Sequence, residues 1–339
     1  MNIYDIAKHA GVSIATVSRV LNNNVHVSET TREKVLAVMN ESRYVPNAFA
    51  RGLGLNSMKT VGLVCPDAGD PYLSEAINCL ESDFREHGYN CLLICTGHDQ
   101  EGRREGVQKV LDRHVDSMVL MGSSFIEERP DDNLYLKEAG KRVPVFVLNG
   151  SYQAKGVYGV VCNDRKAMEE ATGYLLKNGR KRILFLYHSM NNSGTRKLNG
   201  YKDALKKAGI GFNDELCVHA ERNEKCFENV HEALARLDQQ GVTYDAILTT
   251  EDILAVGVLK YASGTGKRIP DELMVIGCNN SLLSRCTEPE LSTIDNKVNL
   301  LCKCIVENLI NVMEGEERPS LTSFDADLVL RRTTGEQPK

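Results

Sequence analysis

A short segment near the start of the chain, VSIATVSRVL at residues 12–21, combines small, polar and basic side chains at helical spacing. Ala15, Ser18 and Arg19 recur at i, i+3 and i+4, so they share one face of a helix. Ser18 can hydrogen-bond a phosphate or a base edge, and the Arg19 guanidinium can make two parallel hydrogen bonds to guanine. Because Ala15 adds no bulk, this face can approach a groove closely. The chemistry that it predicts is recognition of DNA.

Three predicted helices position this face. The first has an apolar stripe that ends at Gly11, the second begins after a Ser13 N-cap and ends at an Asn-rich break, and the third begins after a Ser28 N-cap. The stripes that these helices would bury are Ile3, Ile6, Ala7 and Ala10; Val17, Val20 and Leu21; and Val35, Val38 and Met39. Two short helices joined by a Gly-containing turn predict a helix-turn-helix. The alternative is a three-helix bundle whose polar face is merely solvated.

The charge distribution favours the DNA-binding alternative. The chain has a net charge of −5, but residues 1–60 contain seven Lys/Arg and four Asp/Glu and therefore carry +3. The remaining residues carry −8. A basic head on an acidic body indicates that only the head meets a polyanion.

The segment that follows the head predicts a marginal helix. Asn47 can cap a short helix, but Gly52 and Gly54 each weaken it by about 1 kcal/mol relative to Ala. So short a helix is not stable alone in water, and a segment that is helical only when supported could act as a switch. The alternative is a plain interdomain linker.

Residues 3–53 resemble the DNA-binding head of the LacI/GalR family. The resemblance rests on A-x-x-A-G-V-S-x-A-T-V-S-R-V-L-N followed by Y-x-P-N-x-x-A-R-x-L. It implies that the second helix reads the major groove and that the later segment forms a hinge helix that wedges a leucine into the minor groove. The positions that it implies for DNA contact are Ile14, Ala15, Thr16, Ser18, Arg19, Asn22, Ala50, Arg51 and Leu53, the last being the wedge. Ile14 and Ala15 offer apolar contact only, for example with a thymine methyl.

The rest of the chain alternates short apolar runs with helical patterns, which predicts an α/β fold with parallel sheets. Helical patterns separate the runs, at residues 71–87 and 101–114 and near 195–208, 226–240 and 252–262. The predicted strands lie at residues 60–65, 91–95, 117–122 and 143–148, and then at 182–187, 245–250 and 273–278. The repeat of the series predicts two similar lobes with a cleft between them. Ligands bind such sheets at the carboxyl ends of the strands.

This part of the chain also resembles the same family, whose effector domain is similar to type I periplasmic sugar-binding proteins. The resemblance implies effector contacts from Tyr72, Ser193, Arg196, Lys197, Glu251 and Asn279. Asn279 replaces a usual aspartate and Glu251 a frequent asparagine, so the ligand that fits is expected to differ. The alternative for each change is drift at the lip of the cleft. The family's effectors are mostly sugars or sugar derivatives, and purines are a minority.

Other functions are disfavoured by the sequence. No run reaches the ~18 apolar residues of a membrane span, and the N-terminus lacks the apolar segment of an export signal, so we expect a cytoplasmic protein that associates with the nucleoid when bound to its operator. The eleven cysteines show no metal-ligand spacing, so we expect reduced thiols, no metal and no cofactor. The segment SGTGKR at 263–268 departs from a phosphate-binding loop, and no hydrolase or dinucleotide motif occurs. An enzyme or a solute-binding protein on the same α/β fold is the alternative from a different class.

The resemblance therefore implies a transcriptional repressor that binds a palindromic operator as a homodimer and is switched by a small molecule, most simply a sugar. The alternative ligand is a purine-type corepressor. We expect a helix-turn-helix head at 1–46, a hinge helix and linker at 47–59, and an effector-binding and dimerisation domain at 60–339. Its N-lobe is predicted at 60–160 and 292–324, and its C-lobe at 161–291 and 325–339.

Overall fold

The computed structural model describes residues 2–21, 26–42 and 57–335. The head consists of three helices that pack on one another: α1 (Ile3–Ala10), α2 (Ile14–Leu21) and α3 (Glu29–Glu41). They enclose a small apolar core, formed by Ile6, Ala7, Val17, Val20, Val35 and Met39. The three predicted helices are confirmed, and most residues of the predicted stripes are buried or partly buried.

Local capping explains where these helices begin and end. Gly11 has φ 66°, a left-handed conformation that suits glycine and ends α1. The Ser13 hydroxyl accepts from the Thr16 N–H at 3.1 Å, as an N-cap does. Ser28 differs from the prediction, because its side chain caps no backbone N–H and its hydroxyl lies 2.8 Å from that of Thr31. At the start of α3, a contact between two side-chain hydroxyls therefore takes the place of the predicted N-cap hydrogen bond.

The first lobe contains the strands β1 (Thr60–Cys65), β2 (Asn90–Cys95), β3 (Ser117–Met121), β4 (Val145–Leu148), β5 (Val157–Cys162) and β11 (Leu321–Phe324). They form one six-stranded sheet with all strands parallel, in the order β11-β5-β4-β3-β1-β2. Its helices are α4 (Pro71–Glu86), α5 (Gln100–Asp112), α6 (Leu134–Arg142) and α11 (Val298–Met313). Apolar clusters lie on both faces of the sheet, which is why its central strands are continuous apolar runs.

The second lobe contains the strands β6 (Ile183–Tyr187), β7 (Cys217–His219), β8 (Ala246–Thr249), β9 (Met274–Cys278), β10 (Ser292–Asp295) and β12 (Asp327–Val329). They also form one six-stranded sheet, in the order β12-β10-β9-β8-β6-β7. Only the β10–β12 pair is antiparallel among its described pairings. Its helices are α7 (Asp164–Lys177), α8 (Asn192–Lys207), α9 (Cys226–Gln239) and α10 (Asp252–Thr265). Short 3-10 turns lie at Ser123–Phe125, Pro130–Asn133, Asp214–Leu216, Leu282–Arg285 and Arg332–Thr334.

The chain crosses between the lobes after β5, after β10 and after β11, and the second crossing differs from the prediction. The sequence predicts residues 292–295 in the first lobe, but they form β10, whose Ser292 and Thr293 pair with Ile276 and Gly277 of β9 in the second sheet. The crossing therefore follows Asp295. The composition of a four-residue strand does not reveal its partner, and only the pairing register assigns it to a sheet. The first crossing likewise falls slightly later than predicted, because β5 extends to Cys162.

The predicted α/β class and its two parallel-sheet lobes are confirmed. The sequence does not predict the strands β5, β7, β10 and β11 or the helices α6, α7 and α11. Within the described residues, no helix is long and apolar enough to cross a membrane.

Candidate functional site

The outer face of α2 presents the DNA-contact residues that the sequence predicts. Val17 and Val20 are buried in the head core, so the opposite side of the helix faces outward. Ala15 and Arg19 are exposed on that side, Ile14 is 40% exposed, and Ser18 is partly exposed between them. The result is an exposed helix face with small side chains and one guanidinium, and a DNA major groove is wide enough to admit such a helix.

The other predicted DNA contacts fall into two groups. Thr16 is partly buried and its hydroxyl lies 2.9 Å from the Ser13 hydroxyl, so this side chain supports the start of α2. Asn22, Ala50, Arg51 and Leu53 lie outside the described residues.

A cleft lies between the two lobes, and its cavity volume of about 10 Å³ leaves room for little more than one water molecule while the lobes stand in this position. Loops at the carboxyl ends of strands and the first turns of α4 and α10 form its walls, which is where an open α/β sheet places a ligand. The lining residues are Asp70, Pro71, Tyr72, Arg222, Glu251, Asp252, Ile253, Asn279, Ser281 and Leu283. Three residues predicted from the sequence, Tyr72, Glu251 and Asn279, are among them.

Tyr72 stands in the first turn of α4, on the first-lobe side of the cleft. Its hydroxyl accepts a hydrogen bond from the Asn149 side-chain amide at 2.6 Å. Burial raises the pKa of this phenol well above its usual range, so it remains protonated. The ring is therefore a neutral, oriented aromatic surface at the cleft, of the kind on which a sugar ring or a base stacks.

Ser193 and Arg196 meet at one carboxylate. The Ser193 hydroxyl donates to Asp164 Oδ2 at 2.8 Å, and Arg196 Nη2 donates to the same oxygen at 2.7 Å. Arg196 Nη2 also donates to the Asn149 carbonyl at 3.3 Å, which joins the second lobe to the first. These two predicted residues do not line the cleft, but they form a network that connects the two lobes. Asp164, which the prediction did not include, holds them together.

Lys197 does not line the cleft. The residue is 7% exposed, and its Nζ donates to the Thr250 carbonyl at 2.9 Å, behind the end of β8. The cation therefore supports the wall of the cleft from inside the second lobe. Helical periodicity explains the difference, because adjacent positions on α8 face about 100° apart.

Glu251 belongs to a charged cluster that the sequence analysis largely missed. Arg222 Nη1 lies 3.2 Å from Glu251 Oε2 and 2.6 Å from Asp70 Oδ2, and His188 Nδ1 lies 3.3 Å from Glu251 Oε1. Burial is the main cause that lowers the pKa of His188. Arg222 follows β7, a strand that was not predicted. Had it been, the rule that ligands bind at strand carboxyl ends would have indicated this residue.

Asn279 and Asp252 form the deeper wall. Asn279 has φ 108°, and its Oδ1 accepts from Asn296 Nδ2 at 2.8 Å. The Asp252 carboxylate accepts from the Ser281 N–H at 2.7 Å and from the Thr293 hydroxyl at 2.5 Å. Burial raises the pKa of Asp252 to about 6 despite these hydrogen bonds. This wall is therefore held by buried polar contacts within the second lobe.

Comparison with protein families matches both parts of the chain. The model described as bacterial regulatory proteins of the lacI family matches residues 2–47, and the periplasmic binding protein-like domain matches residues 172–334. An HTH-type transcriptional regulator of Lachnoclostridium phytofermentans is 43% identical and covers 98% of this chain and 99% of its own. The regulator GalR of Escherichia coli is 31% identical, with 99% and 96% covered.

Solved structures show the same fold over the whole chain. The Lac repressor dimer bound to operator and the anti-inducer ONPF superposes with a TM-score of 0.86 at 24% identity, covering 98% of this chain and 99% of the other. The complex of the transcriptional regulator CelR with cellobiose gives a TM-score of 0.71 at 23% identity, with the same coverage.

Proposed function

The chain belongs to the LacI family of helix-turn-helix transcriptional regulators, and from this premise we propose that it represses transcription as a homodimer on a palindromic operator. The relatives are named as transcriptional regulators and not as enzymes, which argues against the enzyme alternative. The observation that carries the proposal is the exposed face of α2, where Ala15, Ser18 and Arg19 stand outward on a packed three-helix core. Two such heads, related by the dimer axis, reach two half-sites of a palindrome.

The effector of this regulator is a sugar or a sugar derivative bound in the interlobe cleft. An aromatic face at Tyr72 and carboxylates at Asp70 and Glu251 suit a ring that carries several hydroxyl groups. Among similar proteins, the CelR structure contains cellobiose. The charged side chains of Asp70, Arg222 and Glu251 line this cleft, so it suits a polar ligand better than an apolar one.

The segment at residues 47–59 couples effector binding in the cleft to DNA binding by the head. Effector binding changes the angle between the lobes, and this alters the spacing of the two hinge segments of the dimer. The hinge helices around Ala50, Arg51 and Leu53 then form or melt on the DNA. A ligand shifts such an equilibrium only through different affinities for the two states. We place the protein in the cytoplasm, on the nucleoid when it is bound to its operator.

The experiment is an operator titration. Full-length protein is titrated against a fluorescent palindrome taken from the DNA upstream of its own gene, with a scrambled duplex as the control, at fixed salt because phosphate contacts make affinity salt-dependent. The titration is repeated with a panel of sugars and two purines. Tight binding to the palindrome that one sugar alters supports the proposal. A response to a purine alone would replace the sugar with the purine-type corepressor, and no preference for the palindrome would overturn the proposed function.

A further inference from the structure

One ion pair joins the two lobes directly across the cleft. Arg222 lies in the second-lobe loop between β7 and α9, and its Nη1 donates to Asp70 Oδ2 at 2.6 Å. Asp70 belongs to the first lobe, where its other carboxylate oxygen accepts from the Leu73 N–H at 3.0 Å and caps α4. The contact therefore fixes the second lobe to the start of the helix that carries Tyr72.

The same guanidinium is held on its own lobe by Glu251, at 3.2 Å. Glu251 stands at the start of α10 and also faces His188 at 3.3 Å. Arg222 thus lies between one carboxylate of the first lobe and one of the second. Opening the cleft requires that the guanidinium leave Asp70 or Glu251.

This arrangement differs from an ordinary surface ion pair. The side chains of Arg222, Asp70 and Glu251 are only 16%, 14% and 17% exposed. Exposed pairs contribute little to stability, whereas removing one partner of a buried pair leaves an uncompensated charge and is costly. The pair of Arg165 and Asp203, with the same 2.6 Å separation, has side chains that are 57% and 30% exposed and lies within the second lobe.

We propose that Arg222 is a built-in occupant of the effector cleft, which holds the lobes together in the absence of a ligand by bridging Asp70 and Glu251. This inference rests on the proposed function only in taking the cleft as the effector site. The effector that enters the cleft displaces the guanidinium and takes over its carboxylate partners with hydrogen-bond donors of its own. Arg222 thereby sets how readily the empty cleft opens.

The test is hydrogen exchange with mass spectrometry on the full-length protein without added ligand. Arg222→Gln removes the charge and is expected to raise exchange about tenfold in the peptide covering residues 66–73, because local protection depends on the free energy of opening. Arg165→Gln is the matched control and is expected to leave this peptide unchanged. Asp70→Asn, which keeps a capping side chain, should raise exchange as much as Arg222→Gln does, and the double variant no further.

Two results would contradict the proposed role of Arg222. Unchanged exchange in Arg222→Gln, or effects of the two single variants that add fully in the double variant, would overturn the inference. Arg222→Lys is the control for general unfolding. It keeps the positive charge and should therefore retain part of the protection that Arg222→Gln loses. The operator titration of the same variants tests the proposed function separately. If Arg222→Gln raises exchange but no compound alters operator binding, the proposed effector switch is refuted and the role of Arg222 stands. If a compound alters operator binding but Arg222→Gln leaves exchange unchanged, the role of Arg222 is refuted and the switch stands.

Discussion

The Asn149 side-chain amide lies 2.6 Å from the Tyr72 hydroxyl and donates a hydrogen bond to it. Asn149 follows β4 and is itself fixed, because its Oδ1 accepts from the Cys162 N–H at 3.1 Å. Its backbone carbonyl accepts from Arg196 of the second lobe at 3.3 Å. The aromatic ring at the cleft is thus positioned by a residue that also contacts the opposite lobe.

Tyr72→Ala is expected to abolish the response to the active compound of the sugar panel, because the aromatic surface at the cleft is lost, while operator binding without ligand persists. Tyr72→Phe keeps the ring and loses only the hydrogen bond with Asn149, so it should weaken the response less. Both variants are measured in the operator titration. A full response in Tyr72→Ala would mean that the ligand does not contact this side of the cleft.

Arg19→Ala is expected to weaken operator binding by about 1–3 kcal/mol, the usual worth of a bidentate contact with a base. Lys34→Ala, an exposed residue of α3, removes the same charge from the head and should weaken binding less. Affinity for the operator and for the scrambled duplex is compared at fixed salt. Equal loss with both variants would show that Arg19 contributes only its charge, and loss of ligand binding as well would indicate misfolding.

Leu53→Ala is expected to reduce operator affinity and DNA bending together, because the proposed leucine wedge unstacks a base step in the minor groove and the kink permits further contacts. Bending is measured by energy transfer between dyes at the two ends of the operator duplex. Wild-type bending at saturating protein would refute the wedge role.

Gly200→Ala is expected to destabilise the second lobe by about 1–3 kcal/mol, as overpacking does. A Cβ at Gly200 of α8 would lie 2.0 Å from the Arg165 carbonyl of α7, so the two helices would have to separate. Gly173→Ala is the matched control, since a Cβ at this position of α7 meets nothing within 4 Å. It should stabilise by about 0.4–1 kcal/mol through the lower entropy of the unfolded chain. Thermal unfolding of both variants checks the opposite signs.

Asp252 should make stability depend on pH in mildly acidic solution. Burial raises the pKa of this carboxyl from 3.8 to about 6 in the folded protein, so the folded state binds the proton more tightly than the unfolded state. Its contribution to the free energy of unfolding is greatest below pH 3.8, falls as pH rises to about 6 and is constant above. This rise in the pKa corresponds to about 3 kcal/mol of stability. Urea unfolding of wild type and Asp252→Asn from about pH 4 to about pH 7 should show the variant gaining stability relative to wild type, and a constant difference would contradict the shift.

Residues close together in the sequence determined the head. The buried stripe of α2 and its exposed polar face follow from a 3.6-residue period, and Gly11 and Ser13 end one helix and begin the next through contacts within a few residues. Patterns of neighbouring residues also predicted the continuous apolar strands of the body, because a strand that is buried on both faces of a parallel sheet is apolar throughout.

The tertiary structure alone decided which side chains meet at the cleft. Arg222 and Asp70 lie 152 residues apart and meet only because two sheets turn their carboxyl edges toward one cleft. Lys197 shares the first turns of α8 with Arg196 but faces the interior, because the rotation of the helix sends adjacent residues in different directions. The placement of β10 was decided by hydrogen-bond pairing with β9, which the composition of a short strand does not encode. Periodicity and caps act over a few residues, whereas pairing, burial and ion pairs between lobes depend on how distant segments pack.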